Sequence, residues 1–201
     1  PTAAEGKGLY RLMESKRPEV CFDSLLEPHC NQTQRRMAAE KVVILAQDTT
    51  ALSYPNLQHT TGLGTLGDKE HSSRGFWLHS LHAYRTDRIG LGCCWAKPWV
   101  RSKESNIDQR NELSIAEKEG LRWIEAYQSA AYMAKGMPQT QLVVCGDRES
   151  DLFELYDQTQ SGPENLFLLV RAKHDRILAD GGKLWERLGS QEVGGSFEIN
   201  V

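Results

Sequence analysis

Residues 41–50 read KVVILAQDTT, a short apolar run that passes directly into polar residues. Four consecutive large apolar side chains, three of them β-branched, predict a strand that is buried on both faces. The run ends at residues 47–50, so the sequence predicts Asp48 just past the carboxyl end of this strand. Ligands of open α/β sheets bind outside the carboxyl ends of strands, which makes Asp48 the first candidate for a functional site.

The chain on either side of this strand predicts further elements of a mixed fold. Upstream, residues 8–40 predict short helices that prolines such as Pro28 interrupt. Downstream, two strand patterns at 76–84 and 89–95 flank a short turn and predict an antiparallel hairpin. Pro98 is expected to stop the second of these strands or to confine it to an edge of the sheet.

Helix and strand patterns alternate in the second half of the chain. Apolar residues at intervals of three and four predict helices, and short apolar runs predict two more strands. The elements are expected at 112–135 (helix), 142–145 (strand), 148–156 (helix), 166–170 (strand) and 184–188 (helix). A strand, a hairpin and then alternating helices and strands imply an α/β fold whose mixed sheet is flanked by helices. This order recurs in the ribonuclease H-like fold.

The composition excludes several classes of protein. With 201 residues, 39% hydrophobic content and a net charge of -3, the chain can form one globular core and is not intrinsically disordered. No run approaches the ~20 apolar residues of a membrane-spanning helix, so we expect no membrane partner. The five cysteines include no C-x-x-C pair, which favours reduced thiols in a cytoplasmic protein over a zinc site. The negative charge argues against a dedicated nucleic-acid-binding domain unless the basic surface is local.

A second aspartate, Asp147, follows the strand predicted at 142–145. If the two strands are neighbours, the carboxylates of Asp48 and Asp147 lie close together, an arrangement that suits hard divalent cations such as Mg²⁺. A pair of such cations can activate a hydroxyl and stabilise a leaving phosphate oxygen. Aspartate after a strand is also a common turn former or helix cap, and the spacing alone leaves that alternative open.

Basic residues follow the strand predicted at 166–170. Arg171 and Lys173 can contact phosphates near the carboxylates, or they can simply be a solvated strand end. The stretch GLGTLG at 62–67 matches a nucleotide-binding pattern. It lacks the preceding strand and the following helix that this pattern needs, so it predicts a loop.

Four segments of the chain resemble bacterial insertion-sequence DDE transposases, in particular the insertion-sequence-four family and its transposon-five relatives. They follow the family's order, and the resemblance runs from about residue 5 to about residue 188. The segments are VILAQDTTALSY (43–54), SRGFWLHS (73–80), VCGDRESDL (144–152) and LVRAKH (169–174). In addition, GLYRL (8–12) is similar to a family helix upstream of the core.

The resemblance implies a ribonuclease H-like catalytic core with a D, D, E triad and a two-metal site for Mg²⁺, which Mn²⁺ can replace. Asp48 and Asp147 match the two aspartates and are the implied metal ligands. The resemblance also implies cut-and-paste DNA transposition by a homodimer that pairs transposon ends and acts on target DNA. The expected contacts to DNA phosphates are Arg171, Lys173, His174 and Arg74.

The third acidic residue of the family, a glutamate on a helix after the fifth strand, has no match here. Residues 193–199 resemble the start of a β-rich insertion, so Glu198 is not assigned to the triad. The expected organisation is a helical extension (1–40), a partial ribonuclease H-like core (41–190) and the start of the insertion (191–201). A core truncated before the third acidic residue is expected to bind metal weakly and to leave DNA uncut.

Two other functions stay open. The chain can be a non-catalytic transposase remnant that binds DNA or intact transposase and so inhibits transposition. It can also be a ribonuclease H-like nuclease with its own third carboxylate, which requires a residue such as Asp151 in the metal cluster.

Overall fold

The computed structural model describes residues 2–57, 59–66, 73–100 and 120–196. The helices are α1 (Ala3–Met13), α2 (Phe22–Met37), α3 (Leu121–Gly136), α4 (Phe153–Thr159) and α5 (Leu184–Gly189). The strands are β1 (Val42–Ser53), β2 (Gly64–Leu66), β3 (Ser73–Arg85), β4 (Gly90–Trp99), β5 (Gln141–Gly146) and β6 (Leu166–Val170). The long helix predicted at 112–135 is confirmed over α3, while residues 112–119 lie outside the described residues.

All six strands form one mixed sheet with β1 at its centre. Strand β1 pairs antiparallel with β3 on one side and parallel with β5 on the other. The parallel half continues from β5 to β6, and the antiparallel half continues from β3 to β4, with the short β2 on the start of β3. The resulting order, β4-β3-β1-β5-β6, is that of a ribonuclease H-like sheet. The predicted α/β fold class is confirmed.

The core lies between the sheet and helices α2 and α3. Alternate residues of β1, Val43 and Leu45, are fully buried, while Val42 and Ile44 on the other face are only partly buried. The prediction that both faces of this strand are buried is therefore wrong for one face, because the core lies on one side of the sheet. Trp123 and Tyr127 of α3 and Met37 of α2 pack into the same cluster. The three- and four-residue spacing of apolar residues in α3 therefore marks the side of this helix that contacts the sheet.

Strand β1 is longer than its apolar run predicts. Its parallel pairing with β5 ends at Ala46, but its antiparallel pairing with β3 continues to Ser53. Asp48 therefore lies inside the strand, opposite Ser80 of β3, and the prediction that it follows the strand is wrong. An antiparallel strand with one exposed face tolerates the polar residues that follow position 46, whereas a doubly buried parallel strand does not.

Helix α2 runs through Pro28, which the sequence predicted to interrupt it. Proline has no backbone N–H, so the helix continues there with one hydrogen bond fewer. Contacts to β4 compensate: His29 Nε2 accepts the N–H of Cys93 at 3.1 Å, and Arg36 donates to the carbonyl of Leu91 at 2.5 Å. Tertiary packing overrides the local helix breaker here.

The prediction of one helix over residues 148–156 is also wrong, in the first half of that range. Residues Arg148–Ser150 form a single 3₁₀ turn, and α4 begins only at Phe153. The interruption lies at Asp151, whose side chain is buried.

Among the described residues, no helix is long and apolar enough to cross a membrane. After α5, residues 191–196 have no regular secondary structure, and Glu198 lies outside the described residues. The predicted boundaries at 40 and 190 remain predictions.

Candidate active site at the carboxyl edge of the parallel strands

Asp48 lies within β1, and Asp147 directly follows the neighbouring strand β5. The parallel register of β1 and β5 joins Ala46 to Cys145 in its last pair. Asp147 keeps an extended backbone with φ −78° and ψ −164°. Neighbouring strands lie about 4.8 Å apart, and paired residues share a face of the sheet. Continued two residues past its last pair, the register therefore predicts Asp48 and Asp147 side by side on one face at this edge of the sheet.

Both carboxylates are exposed and are oriented by the backbone. The N–H of Thr49 donates to Asp48 Oδ1 at 2.7 Å, and the N–H of Glu149 donates to Asp147 Oδ1 at 2.8 Å. Within the described residues, no hydrogen bond reaches the second oxygen of either carboxylate. Asp147 is also the cap of the 3₁₀ turn, so the turn-forming role that the spacing left open is present as well.

A cleft of about 330 Å³ opens beside Asp48. Its wall combines aromatic rings with charged groups of both signs. The lining includes Thr49, Trp99, Arg122, Trp123, Glu149 and Lys173. Of the residues predicted to contact phosphates, Lys173 is thus the one that the fold brings into the same cleft as Asp48.

The guanidinium of Arg122 connects the two aspartate-bearing segments. Its Nε donates to Thr49 Oγ1 at 2.9 Å, and its Nη2 lies 3.3 Å from Glu149 Oε2. The guanidinium also lies 5.0 Å from the centre of the Trp99 ring, and only 11% of the Arg122 side chain is exposed. A cation from α3 is therefore held against Thr49, which follows Asp48, and against Glu149, two residues after Asp147.

A buried polar chain continues inward from Thr49. Its hydroxyl lies 2.7 Å from His79 Nδ1, and His79 Nε2 lies 3.3 Å from Gln47 Oε1. Because the amide oxygen of Gln47 can only accept, the His79 proton lies on Nε2, and Nδ1 accepts from the Thr49 hydroxyl. Burial, followed by the positive charge of Arg122, lowers the pKa of His79 to about 3, so the ring is neutral at pH 7. His79 is a hydrogen-bonded core histidine.

Asp151 belongs to a separate buried cluster, which it forms with Arg176, Tyr156 and the backbone of Lys173 and His174, and not to the carboxylate pair. Its side chain is 1% exposed and forms an ion pair with Arg176 at 2.6 Å. It also accepts the backbone N–H groups of Lys173 (2.6 Å) and His174 (2.9 Å) and the hydroxyl of Tyr156 (2.9 Å). With its oxygens occupied in this way, Asp151 does not supply the third metal-binding carboxylate that the nuclease alternative requires.

These contacts set the charge of Asp151. Burial alone raises the pKa of the carboxyl, but the hydrogen bonds from Lys173, Arg176, His174 and Tyr156 outweigh it and hold the pKa well below its usual range. The same site raises the pKa of Tyr156 to about 12, through burial and its hydrogen bond to the carboxylate. In this buried cluster, Asp151 is therefore ionised and Tyr156 is neutral.

The four residues predicted to contact phosphates do not all lie together in the structure. Arg171 follows the last β5–β6 pair, Gly146 with Val170, so it lies beside Asp147 and donates its N–H to the Gly146 carbonyl at 3.2 Å. Lys173 lines the cleft, and His174 follows it on the exposed loop that Asp151 fixes. These three residues lie near the carboxylates.

Arg74 does not reach the carboxylates. Asp48 pairs with Ser80, and Arg74 lies six residues further back on β3, about 20 Å away at ~3.4 Å per residue. Its guanidinium donates to the carbonyls of Thr60 (3.0 Å) and Leu63 (3.2 Å) and so holds the preceding loop. Arg74 therefore lies apart from the two aspartates, and its contact with DNA phosphates stays a prediction.

The donor set fits a hard divalent cation in kind but supplies few ligands. Two carboxylates with unengaged oxygens are the ligands that Mg²⁺ and Mn²⁺ prefer. Within the described residues, however, no group of three His, Cys, Asp or Glu side chains converges to hold a metal ion. Asp48 and Asp147 therefore form at most part of a coordination shell.

Sequence reasoning missed Arg122 and the role of Glu149. An arginine directly before a buried tryptophan on an amphipathic helix looks like any flanking surface residue. Glu149 lies within the DRE stretch, but its ion pair with Arg122 depends on α3 packing against the end of β5. No signal in the sequence predicts that contact.

No protein-family model matches the chain. Among solved structures, the chain is similar to one in the crystal structure of a pre-cleavage Mos1 transpososome, with 10% sequence identity and a TM-score of 0.29. The alignment covers 92% of this chain and 56% of that chain, so this chain spans little more than half the length of its neighbour. The ribonuclease H-like fold follows from the strand order β4-β3-β1-β5-β6.

Proposed function

We propose that this chain is the catalytic-core portion of a DDE-type DNA transposase that acts by metal-dependent phosphoryl transfer. The observation that carries the proposal is the parallel β1–β5 register, which pairs Ala46 with Cys145 and, continued by two residues, aligns Asp48 with Asp147. These are the two aspartates that the resemblance to insertion-sequence transposases singles out. Agreement between an independent geometric relation and the matched residues supports a shared metal-binding role.

The residues divide into two roles. Asp48 and Asp147 hold divalent cations, and the backbone N–H groups of the residues next to them fix the carboxylate orientation. A bound Mg²⁺ would supply Lewis-acid polarisation of a phosphoryl oxygen and a lowered pKa for a coordinated hydroxyl. Arg171 and Lys173, at the adjoining strand end, position the DNA backbone, with His174 next to them. The DNA partner, transposon ends and target, and the homodimer are part of this proposal.

Metal binding tests the carboxylate pair directly. We expect the 201-residue chain to bind Mn²⁺ weakly, as measured by electron paramagnetic resonance of free Mn²⁺. Asp48→Asn and Asp147→Asn should each weaken binding on the order of 10–100-fold or more, since even residues that only support metal ligands have effects of that size. Asp157→Asn, which removes one exposed carboxylate from α4, is the matched control and should bind like wild type.

Two results contradict this part of the proposal. One is Mn²⁺ affinity that is unchanged in both aspartate variants. The other is an equal loss in the Asp157→Asn control, which would show that the metal responds only to net charge.

Binding of duplex DNA tests the basic strand end. With a net charge of -3, the chain is expected to neutralise only ~2–4 phosphates, so affinity should fall with salt at a slope of about −0.9 per phosphate. Mg²⁺ should strengthen binding because it masks the repulsion from the carboxylates. In fluorescence anisotropy titrations, the Arg171→Ala/Lys173→Ala double variant should lose binding, while Lys16→Ala/Arg17→Ala, with the same change in charge, should keep it. Tight binding in EDTA at about 0.2 M salt would contradict the assignment.

A non-catalytic remnant is the second candidate. It is favoured by the absence of a third converging acidic side chain among the described residues. This alternative predicts salt-sensitive DNA binding, or binding to intact transposase, without measurable Mn²⁺ affinity. The two titrations above therefore separate the two functions.

A further inference from the structure

Arg122 holds the two residues that orient the candidate metal ligands. We infer that Arg122 is a positioning residue, which holds the orientation of the Asp48 and Asp147 carboxylates; the metal-binding part of this inference rests on the proposed function. The geometry is the same at both ends. Each carboxylate accepts the N–H of a nearby residue, and Arg122 contacts the side chain of that same residue.

At the Asp48 end, the contacts run through Thr49. Arg122 Nε donates to the Thr49 hydroxyl at 2.9 Å, and the backbone N–H of Thr49 donates to Asp48 Oδ1 at 2.7 Å. The Thr49 hydroxyl also donates to His79, which is fully buried. The hydroxyl is thus held between Arg122 and His79, which restricts the rotamer of the Thr49 side chain next to Asp48.

At the Asp147 end, the contacts run through Glu149. Arg122 Nη2 lies 3.3 Å from Glu149 Oε2, and the backbone N–H of Glu149 donates to Asp147 Oδ1 at 2.8 Å. The 3₁₀ turn that contains Glu149 is short, and its own backbone hydrogen bonds fix it weakly. The ion pair with α3 gives this turn a contact outside its own segment.

An arginine is needed at this position because the two contacts leave from different nitrogens of one rigid plane. Nε and Nη2 diverge towards Thr49 and Glu149, while the flat guanidinium lies over Trp99. A lysine ammonium carries the same charge, but it has one nitrogen and cannot reproduce the fork or the stacking. Arg122→Lys therefore separates geometry from charge.

The experiment compares wild type, Arg122→Lys, Thr49→Val and the control Lys135→Gln, an exposed position on the same helix. Amide hydrogen exchange, measured by NMR without metal, reports whether the N–H groups of Thr49 and Glu149 stay engaged with the carboxylates. Both amides should exchange on the order of 10-fold faster in Arg122→Lys, and only the Thr49 amide in Thr49→Val. Circular dichroism confirms that each variant is folded.

Mn²⁺ titration of the same samples gives the second readout. Arg122→Lys and Thr49→Val should each weaken Mn²⁺ binding on the order of 10-fold, and the double variant should be little worse than Arg122→Lys because both changes break one chain of contacts. Wild-type amide exchange and Mn²⁺ affinity in Arg122→Lys would overturn the inference, since the charge alone would then suffice. If wild type binds no Mn²⁺, the proposed function fails, and the amide exchange rates still decide whether Arg122 positions the carboxylates.

Discussion

Asp151→Asn is expected to lower the free energy of unfolding by about 3 kcal/mol, the lower end of the range for breaking a buried ion pair. Asparagine has the shape of aspartate, but its NH₂ group faces donors where an acceptor is needed. The guanidinium of Arg176 loses its counter-charge. If the amide oxygen stays at the Oδ2 position with the N–H groups of Lys173 and His174, the NH₂ group faces the donors of Arg176 and Tyr156. The value stays at the lower end because 29% of the Arg176 side chain remains exposed to water.

The effect of this substitution should depend on pH in a defined direction. The pKa of Asp151 is lower in the folded than in the unfolded chain, so its ionised form favours folding. Its contribution is complete above the unfolded value of about 3.9 and is lost as the pH falls through that value towards the folded pKa. The difference in stability between wild type and Asp151→Asn should therefore shrink as the pH falls below about 4.

Protonation of His79 does not obscure this comparison. Its lowered folded pKa, about 3, means that both proteins lose stability below the unfolded value of about 6.5. That loss is common to wild type and variant and cancels in their difference. The difference between the two proteins thus reports Asp151 alone.

Urea unfolding followed by far-ultraviolet circular dichroism at pH 7, 5 and 3 provides the measurement. Asp157→Asn, an exposed carboxylate six residues further on, should remain within about 0.5 kcal/mol of wild type at every pH. A stability difference for Asp151→Asn that stays constant from pH 7 to pH 3 would show that the ionised carboxylate is not the origin of the effect.

Most elements of the sheet could be predicted from the sequence because their patterns are local. The apolar runs at 42–45, 142–145 and 166–170 all form strands, and the hairpin forms where alternation and a turn predict it. The ends of the strands were less predictable because they depend on which strands lie beside them. Strand β1 extends through its polar half to Ser53 only because β3 lies beside it.

The two carboxylates of the candidate site could be selected from the sequence, but the contacts that orient them could not. Asp48 and Asp147 stand near the ends of apolar runs, which is a signal that a single sequence carries. The 99-residue offset of the parallel register, which aligns Ala46 with Cys145, is a property of strand pairing alone. The contacts of Arg122 and the inward turn of Asp151 likewise join segments that are distant in the chain, and no local pattern encodes them.

The removal of Trp123 is the change expected to have the largest effect on the fold. The side chain is 1% exposed and lies in the main core. Its ring meets His79 edge to face at 4.6 Å between centroids. A methyl group added to Gly146 would lie 3.3 Å from the Trp123 ring, so the ring packs closely against the residue before Asp147. Trp123 thus packs beneath the two segments that carry Asp48 and Asp147.

Trp123→Ala is expected to cost about 3–5 kcal/mol, because it removes buried apolar area and leaves a cavity between the sheet and α3. Trp123→Phe keeps a ring against His79 and should cost clearly less. Trp185→Ala is the control, since it deletes a tryptophan that is 45% exposed on α5 and should change stability by no more than about 1 kcal/mol. Urea unfolding followed by circular dichroism measures all three, with an unchanged slope against denaturant as the sign that only stability has changed. A Trp123→Ala variant within about 1 kcal/mol of wild type would show that this ring does not support the core beneath the two carboxylates.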